Sequence, residues 1–387
     1  MGQIQRVGII GGGQLAWMMA DGAAQLGLDL VVQTPHATDP AVAIAPEPVL
    51  APVADATATA VLADRCDVIS FENEFINLAA LAPLAAAGVS FRPSLPAIAP
   101  LLDKYSQRQC LEAAGLPNPR FVALFPDTPL PEAESHARAL GFPLVMKTQR
   151  LGYDGQGTFI LPTWEACQQT WDQIQRVPVL LEEFIPFEKE LAIMVARAGS
   201  GQVVTYPTVE TQQVDQVCRR VVAPAAVSAE IQAQVATLAT TLVTALDYVG
   251  VLGMELFLAP GGRLLVNEVA PRTHNSGHYT LDACVTSQFE QQLRAVSDRP
   301  LGSSAMTCDR AVMVNLLGFE TTDQDYAEVR SHLAALPHTH VHWYGKTARP
   351  GRKLGHVTIC LPQAEDDGEA QVAAAIQAIE TLWYPPL

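Results

Sequence analysis

Cations are scarce in this sequence: 24 lysines and arginines face 40 aspartates and glutamates over 387 residues, for a formal net charge of -16. That balance excludes a general nucleic-acid or anionic-membrane surface, so any anionic ligand must be held by a local cluster. Apolar runs are short too, and none reaches the roughly 18 residues needed to span a bilayer. The opening MGQIQRVGIIGGG lacks the apolar core and cleavage site of a secretion signal, and Arg6 stands where a myristoylation signal wants Ser or Thr. Seven scattered cysteines include no CxxC and no His/Cys metal spacing, which suits buried thiols in a reducing, cytoplasmic setting. No internal repeat is present, and the glycine-rich stretch at 152–157 lacks the GK[ST] and following helix of a phosphate loop. What remains, 49% apolar and 17% charged, is a globular composition long enough for two or three domains.

The chain is organised around GMELFLAPGGRLLVNEVAPRTHNSGHYT, residues 253–280. Runs from Met254 to Leu258 and from Leu264 to Ala270 flank a Pro-Gly-Gly break and read as two antiparallel strands. A turn centred on Gly261 and Gly262 sets Glu255 opposite Glu268, with Cβ atoms about 5 Å apart. Two facing carboxylates repel unless a hard divalent cation sits between them, and Mg²⁺ takes oxygen ligands in this way. An edge hairpin with solvated acids is the plainer alternative. Asn267 beside Glu268, and the crowding of Arg272, His274, Asn275, Ser276 and His278 just beyond, favour the metal-nucleotide reading.

Upstream, Arg6 to Ile10 reads as a buried strand entering Gly11-Gly12-Gly13-Gln14-Leu15-Ala16 and an apolar helix through Leu26, the strand-to-helix turn of a doubly wound sheet. A dinucleotide site wants an acid at the end of the second strand, where this chain has Gln33. Strands at Val68–Phe71 and Val89–Phe91 complete a three-layer domain, with Glu72 and Glu74 at a carboxyl end where ligands bind or loops are merely polar. Asp103 caps a helix carrying Lys104 and Arg108 that stops at Gly115.

Lys147 ends a strand that runs into Gly152-Tyr153-Asp154-Gly155-Gln156-Gly157 and then the strand from Thr158. Glycines at this density give a flap whose N–H groups can fold over polyphosphate, or else a plain hairpin turn. A strand to Leu181 ends in Glu182, Glu183, Phe184 and Ile185, where a planar base can be received, and Glu190 follows where a ribose can be held. Residues 228–248 read as an amphipathic helix. After Pro300 the pattern gives a strand at Ala311–Leu317, a helix near Asp325–Ala335, strands around Val341 and Val357, and a closing helix over residues 364–382. Lys346, Arg349, Arg352 and Lys353 make the one dense basic cluster, suited to a phosphate monoester or to pairing with nearby acids.

Together these motifs resemble the ATP-grasp superfamily and, within it, the N5-carboxyaminoimidazole ribonucleotide synthetase family of purine biosynthesis. The resemblance covers nearly the whole chain: GIIGGGQLA at 8–16, SFENE at 70–74, GYDGQG at 152–157, EEFIPFEKELA at 182–192, NEVAPRTHNSGHYT at 267–280 and YGKTARPGRKLGH at 344–356. PRTHNSGHYT and RPGRKLGH in that order are its specific marks. It implies a Rossmann-like parallel-sheet domain (1–98), a two-lobed ATP-grasp domain (99–300, lid about 117–185) and a small β-rich C-terminal domain (301–387), in a homodimer.

By position, the resemblance implies that Lys104 and Lys147 contact ATP phosphates, that the 152–157 flap covers them, that Glu182, Glu183, Phe184 and Ile185 receive adenine, and that Glu190 holds ribose. It implies Mg²⁺, as two ions or with Mn²⁺ in its place, on Glu255 and Glu268 beside Asn267. Gln213 stands where the family has a nucleotide-contacting His; it can hydrogen-bond but carries no charge. The expected reaction joins bicarbonate and ATP to carboxyphosphate, then carboxylates the amine of 5-aminoimidazole ribonucleotide. Arg272, His274 and Asn275 would hold the bicarbonate-derived group, Tyr153 and Asp154 would orient the amine with Asp154 as proton acceptor, and the basic cluster would take the ribotide phosphate. Another purine-pathway ligase, an NAD-dependent oxidoreductase and a silent binding relative are the alternatives. Glu255→Gln is expected to cost much of the activity with little loss of fold, and a near-normal rate of ADP release would remove the metal assignment.

Overall fold

The computed structural model describes residues 3–150, 157–363 and 368–384. The N-terminal sheet is parallel, in the order Val49–Leu50, Asp29–Thr34, Arg6–Ile10, Val68–Phe71. Val7, Ile9, Ile10, Val32 and Val68 are all but inaccessible, as strands covered on both faces require. Two expectations are corrected. The helix to Leu26 is split into Gln14–Trp17 and Ala20–Leu26, a break that nothing in the sequence marks. The strand at Val89–Phe91 shrinks to one parallel bridge between Phe91 and Ile69: Arg92 still donates to the Ile69 carbonyl, and the pairing stops at Pro93, whose ring fixes φ.

The glycine-rich turn is occupied from within. The Glu72 carboxylate accepts hydrogen bonds from the backbone N–H groups of Gly13, Leu15 and Ala16 at 2.6, 3.0 and 3.2 Å. A Cβ on Gly13 would come within 2.6 Å of that carboxylate, and one on Gly12 within 2.5 Å of Thr34. The glycines are thus needed for close packing of protein on protein. Burial raises the Glu72 pKa against the pull of those three donors.

The lid is a four-stranded antiparallel sheet, ordered Phe121–Leu124, Val179–Glu183, Leu144–Thr148, Thr158–Leu161. Helices Leu130–Leu140 and Trp164–Gln173 close over it, around Leu124, Leu144, Met146, Trp164, Trp171 and Leu181. The third sheet is the largest. It runs Arg263–Ala270, Gly250–Ala259, Lys189–Arg197, Val209–Val214, Val217–Ala223, Arg310–Leu317, Lys353–Leu361, Thr339–Trp343, with Val203–Thr205 paired to the side of Lys189–Arg197. The C-terminal strands therefore extend the central sheet through the pairing of Val217–Ala223 with Arg310–Leu317. In Lys189–Arg197, Leu191, Ile193 and Val195 face the helix Ala229–Ala245, while Ala192, Met194 and Ala196 face Tyr279 and Ala295, the period-2 alternation of a strand buried on both sides.

The helix Gln288–Val296 is buried almost all round and joins the units. Its Phe289 and Leu293 lie in the N-terminal core, Gln292 donates to Ser70 Oγ at 2.9 Å and accepts from the Val251 N–H, and the Val296 carbonyl accepts from Arg92. These polar bonds fix its rotation where apolar packing alone leaves it free to slide. For the N-terminal turn, Gly13→Ala is expected to cost about 1–3 kcal/mol by forcing Glu72 out of place, read as a lower urea midpoint with an unchanged slope.

Candidate active site

Glu255 and Glu268 do face each other, but not through the expected turn. The loop has three residues, Pro260–Gly262, and near it the strands pair Ala259 with Arg263 and Leu256 with Val266. The register then shifts by one, so that Glu255 meets Glu268, and Asn267 is the extra residue of a β-bulge. A bulge re-aims side chains. Here it brings Asn267 and Glu268, neighbours in sequence, to the same group of cations: Asn267 Oδ1 accepts from Lys147 Nζ at 3.0 Å and Glu268 Oε1 from Lys104 Nζ at 2.7 Å.

Arg108, on the helix Lys104–Ala113, holds the bulge open. Its guanidinium donates to the carbonyls of Val266 (2.8 Å) and Asn267 (2.7 Å) and pairs with Glu182 at 2.6 Å. Lys147 meets the other oxygen of Glu182 at 2.8 Å. Asp103 caps this helix by accepting from the N–H groups of Tyr105 and Ser106, which sets Lys104 and Arg108 one turn apart on the site face.

Charge is finely divided here. Burial works to raise the Glu182 pKa, but Arg108 and Lys147 outweigh it and hold it down at about 2. Burial lowers Lys147, although Glu182 pulls the other way. Burial also opposes both charges of the Lys104–Glu268 pair, yet each partner wins for the other: Lys104 is raised and Glu268 falls to about 2. Glu255 has no such cation in contact, and burial followed by the facing Glu268 pushes it up to about 7.

Around this pair, His274 Nε2 lies 3.7 Å from Glu255 Oε1, and its Nδ1 is 2.9 Å from Ser276 Oγ. Gln288 fixes the loop by bonding the His274 N–H and carbonyl at 2.9 and 2.8 Å. Arg272 pairs with Glu74 at 2.9 Å. Asn275 is buried, its amide meeting no partner but the Cys218 thiol among the described residues. Glu190, raised by burial, is hydrogen-bonded by Gln213. The Glu182 side chain is committed to Arg108 and Lys147, and Glu183 to Arg120 at 2.8 Å. Phe184 is partly exposed and Ile185 buried.

Gly152, Tyr153, Asp154, Gly155 and Gln156 lie outside the described residues. Gly157 is described: its φ of 77° is a left-handed value that favours glycine, and its carbonyl accepts from the Thr148 N–H.

The basic cluster is divided. Its loop is residues 344–352, and Lys353 already belongs to the strand. Lys346 reaches Gln14 of the N-terminal turn, and Arg352 feels Asp39 while donating to the Thr347 carbonyl at 2.9 Å. Lys353 instead lowers the Glu255 pKa, from the side of the acidic pair, and Arg349 is exposed.

Sequence reasoning passed over Arg108 as a site residue, although its i+4 spacing from Lys104 places both on one helical face. It left Glu74 undecided between ligand site and loop. Gln288 carried no signal. Gln33 is a buried structural residue, bonded to the Pro52 and Asp55 carbonyls and to Thr59. With Glu72 filling the glycine turn, a dinucleotide has neither its phosphate seat nor its ribose acid.

The donors gathered at the bulge, two carboxylates and an amide oxygen, suit Mg²⁺ or Mn²⁺. Burial and, after it, the facing Glu268 lift Glu255, and a divalent cation there would offset both.

Comparison with known proteins gives the family. Residues 4–99 match the ribonucleotide synthetase preATP-grasp domain, 109–289 the ATP-grasp domain, and 311–370 the phosphoribosylaminoimidazole carboxylase C-terminal domain. The N5-carboxyaminoimidazole ribonucleotide synthase of Synechococcus elongatus is 58% identical over 385 residues, 99% of this chain and 96% of the relative. A carboxyaminoimidazole ribonucleotide synthase from Aspergillus clavatus, solved with ATP, superposes with a TM-score of 0.89 at 31% identity over 98% of both chains. The N5-carboxyaminoimidazole synthase of the same organism, solved with ADP and 5-aminoimidazole ribonucleotide, gives 0.89 at 30% identity over 99% of both.

Glu182→Gln leaves two buried cations facing a neutral group, and the expected loss at neutral pH is about 3–5 kcal/mol. A carboxylate with a depressed pKa contributes its stability above its ordinary value near 4.5 and loses it as pH falls toward about 2. The difference between wild type and variant in urea unfolding should therefore shrink across that window; a constant difference would contradict the ion-triad reading.

Proposed function

Because the chain belongs to the N5-carboxyaminoimidazole ribonucleotide synthase family of ATP-grasp enzymes, we propose how its own residues divide the work of that reaction. The protein is an ATP-dependent carbon–nitrogen ligase of purine biosynthesis that converts 5-aminoimidazole ribonucleotide to N5-carboxyaminoimidazole ribonucleotide. The observation that carries the residue assignment is the facing pair Glu255 and Glu268 beside Lys104 and Lys147, at the junction of lid and central sheet.

ATP lies between the lid and the central sheet, with adenine against residues 182–185 and the ribose hydroxyls on Glu190. Lys147 and Lys104 are ready to exchange contacts with Asn267 and Glu268 for phosphate oxygens. Glu255, Glu268 and Asn267 hold Mg²⁺, which supplies neutralisation of phosphate charge when bound. A bicarbonate oxygen attacks the γ-phosphorus, the bond to the bridging β,γ-oxygen breaks, and ADP leaves with carboxyphosphate formed. The chain's part is alignment and charge compensation, because the transferring phosphoryl needs little covalent help.

Arg272, His274 and Asn275 orient the carboxyl group. Glu74 positions Arg272 and Gln288 positions His274, while the Asn275 amide, which meets only the Cys218 thiol among the described residues, has hydrogen-bonding capacity left for an oxygen of the ligand. The exocyclic amine then attacks the carboxyl carbon, phosphate departs, and the amine proton passes to Asp154, with Tyr153 orienting the ring. Lys346 and Arg352, brought against the N-terminal turn, take the ribotide phosphate, aided by Arg349 and Lys353. Gln213 serves as a neutral hydrogen-bond partner for Glu190 at the ribose.

Among the described residues no helix is long and apolar enough to cross a membrane. The seven free cysteines fit a reducing cytoplasm. The homodimer implied by the resemblance belongs to this proposal, and the mass in solution tests it.

ADP release should require both bicarbonate and 5-aminoimidazole ribonucleotide. Release that proceeds equally with glycine ribotide or formate would overturn the substrate assignment. Lys346→Ala should raise KM for the ribotide about tenfold or more, by loss of a charge-assisted phosphate contact of about 1.5–3 kcal/mol, with KM for ATP little changed.

A further inference from the structure

Away from the site, the C-terminal hairpin carries a row of polar rings with no part in the reaction above. Strands Thr339–Trp343 and Lys353–Leu361 pair His342 directly with His356 and His340 with Thr358. Residues two apart on a strand share a face, so His340, His342 and the following Tyr344 stand on one side of the first strand, with His356 opposite. The His342 and His356 rings stack with centroids 4.5 Å apart and 15° between planes.

Asp282, on the short helix Thr280–Ala283 that follows the His274–His278 loop, approaches from above. Its two oxygens lie 2.9 and 3.1 Å from His342 Nε2, and one lies 3.6 Å from His340 Nδ1. One oxygen of Asp282 and one ring nitrogen each from His342 and His356 all fall within 4.8 Å of one another.

A carboxylate and two stacked imidazoles could be no more than an ion pair with a packed neighbour. One feature does not fit that reading. His356 is wholly inaccessible and its Nδ1 is bound by the Tyr344 hydroxyl at 2.6 Å, yet its Nε2 has no hydrogen-bond partner among the described residues. A buried ring nitrogen without a partner is costly. With Nδ1–H donating to the Tyr344 oxygen, Nε2 keeps a lone pair, and an acceptor placed in this way fixes the tautomer of a metal-binding histidine. Burial, with His278 and His342 adding to it, lowers the His356 pKa and keeps the ring neutral, the form that ligates.

We propose that Asp282, His342 and His356 form a second metal site, selective for a borderline divalent transition ion of the Zn²⁺ class. Two imidazoles and one carboxylate suit such an ion, whereas the all-oxygen set at Glu255 and Glu268 suits Mg²⁺. Ligation through His342 Nε2 takes the neutral tautomer whose proton sits on Nδ1, so the contact with Asp282 gives way to a bond from each side chain to the ion. His340, half-exposed, stands at the open side and is the candidate fourth ligand, with water as its substitute. The bound ion ties the helix after the His274–His278 loop to the hairpin that carries Lys353.

The test uses the full-length protein, stripped of metal with a chelator and held in excess Mg²⁺ to occupy the all-oxygen site. Titration with Co²⁺ should give visible absorption bands that Zn²⁺ abolishes, and Zn²⁺ should raise the melting temperature. His342→Ala and Asp282→Asn should each weaken Zn²⁺ binding more than about a hundredfold, beyond the loss that follows removal of an outer-sphere partner, and should lose the thermal shift. His332→Ala, at an exposed histidine of the same domain, should keep both. Wild-type protein without the Co²⁺ bands, or bands that persist at full affinity in both variants, overturns the site. The readouts are independent of turnover, so they stand apart from the fate of the ligase assignment.

Discussion

Glu182 lies between two cations in a place that water barely reaches, and the rest of the site depends on it. It comes from the lid; Arg108 comes from the helix beneath, and Lys147 from the neighbouring lid strand. Taking three charges out of water is expensive, and a well-packed apolar substitute is often as stable. What the ions do that apolar side chains could not is point. Arg108 reaches past Glu182 to the carbonyls on either side of the bulge, so the lid, the helix and the edge strand are fixed by one guanidinium. Lys147 is aimed by Glu182, which works against the burial that lowers its pKa, while still touching Asn267. The same frame sets Glu255 opposite Glu268.

Much of this was legible in the sequence, because the signals were local. Pro-Gly-Gly between apolar runs gives a hairpin, Asp103 before Lys104 gives a capped helix, and a glycine run after a buried strand gives the doubly wound turn. What failed was register. The two-residue turn and the bulge-free ladder were both wrong by one residue, and the errors cancelled, so Glu255 still faced Glu268. A bulge is set by what packs on it, here Arg108 from a helix more than a hundred and fifty residues away in the chain, and no local pattern encodes that. Gln288 and the buried face of Gln288–Val296 escaped for the same reason: their partners, Ser70, Val251 and His274, are all distant. The glycine turn shows the converse. Its motif was read correctly as a fold element, and only the structure reveals that Glu72 sits where a ligand's phosphate does in dinucleotide folds.

An acidic chain that handles anions solves its problem by lending each cation a carboxylate. Lys104 rests on Glu268, Lys147 on Glu182 and Arg272 on Glu74. The local positive field is therefore latent, and is released where a phosphate or carboxylate can compete for the cation at short range. Lys104 from the helix Lys104–Ala113, Lys147 from the lid and Lys353 from the C-terminal hairpin each act on the bulge and its acidic pair, in a chain whose net charge is -16.

The pairing of Val217–Ala223 with Arg310–Leu317 carries the central sheet straight through the junction between the ATP-grasp region and the C-terminal unit. In evolutionary and engineering terms the last segment is therefore not a detachable cassette. Excising it would strip hydrogen-bond partners from an apolar strand containing Val221, Val222 and Ala223 and leave an open, adhesive edge. Shuffling that segment among homologues would succeed only where the incoming first strand reproduces this ladder, so the two regions are bound to diverge together.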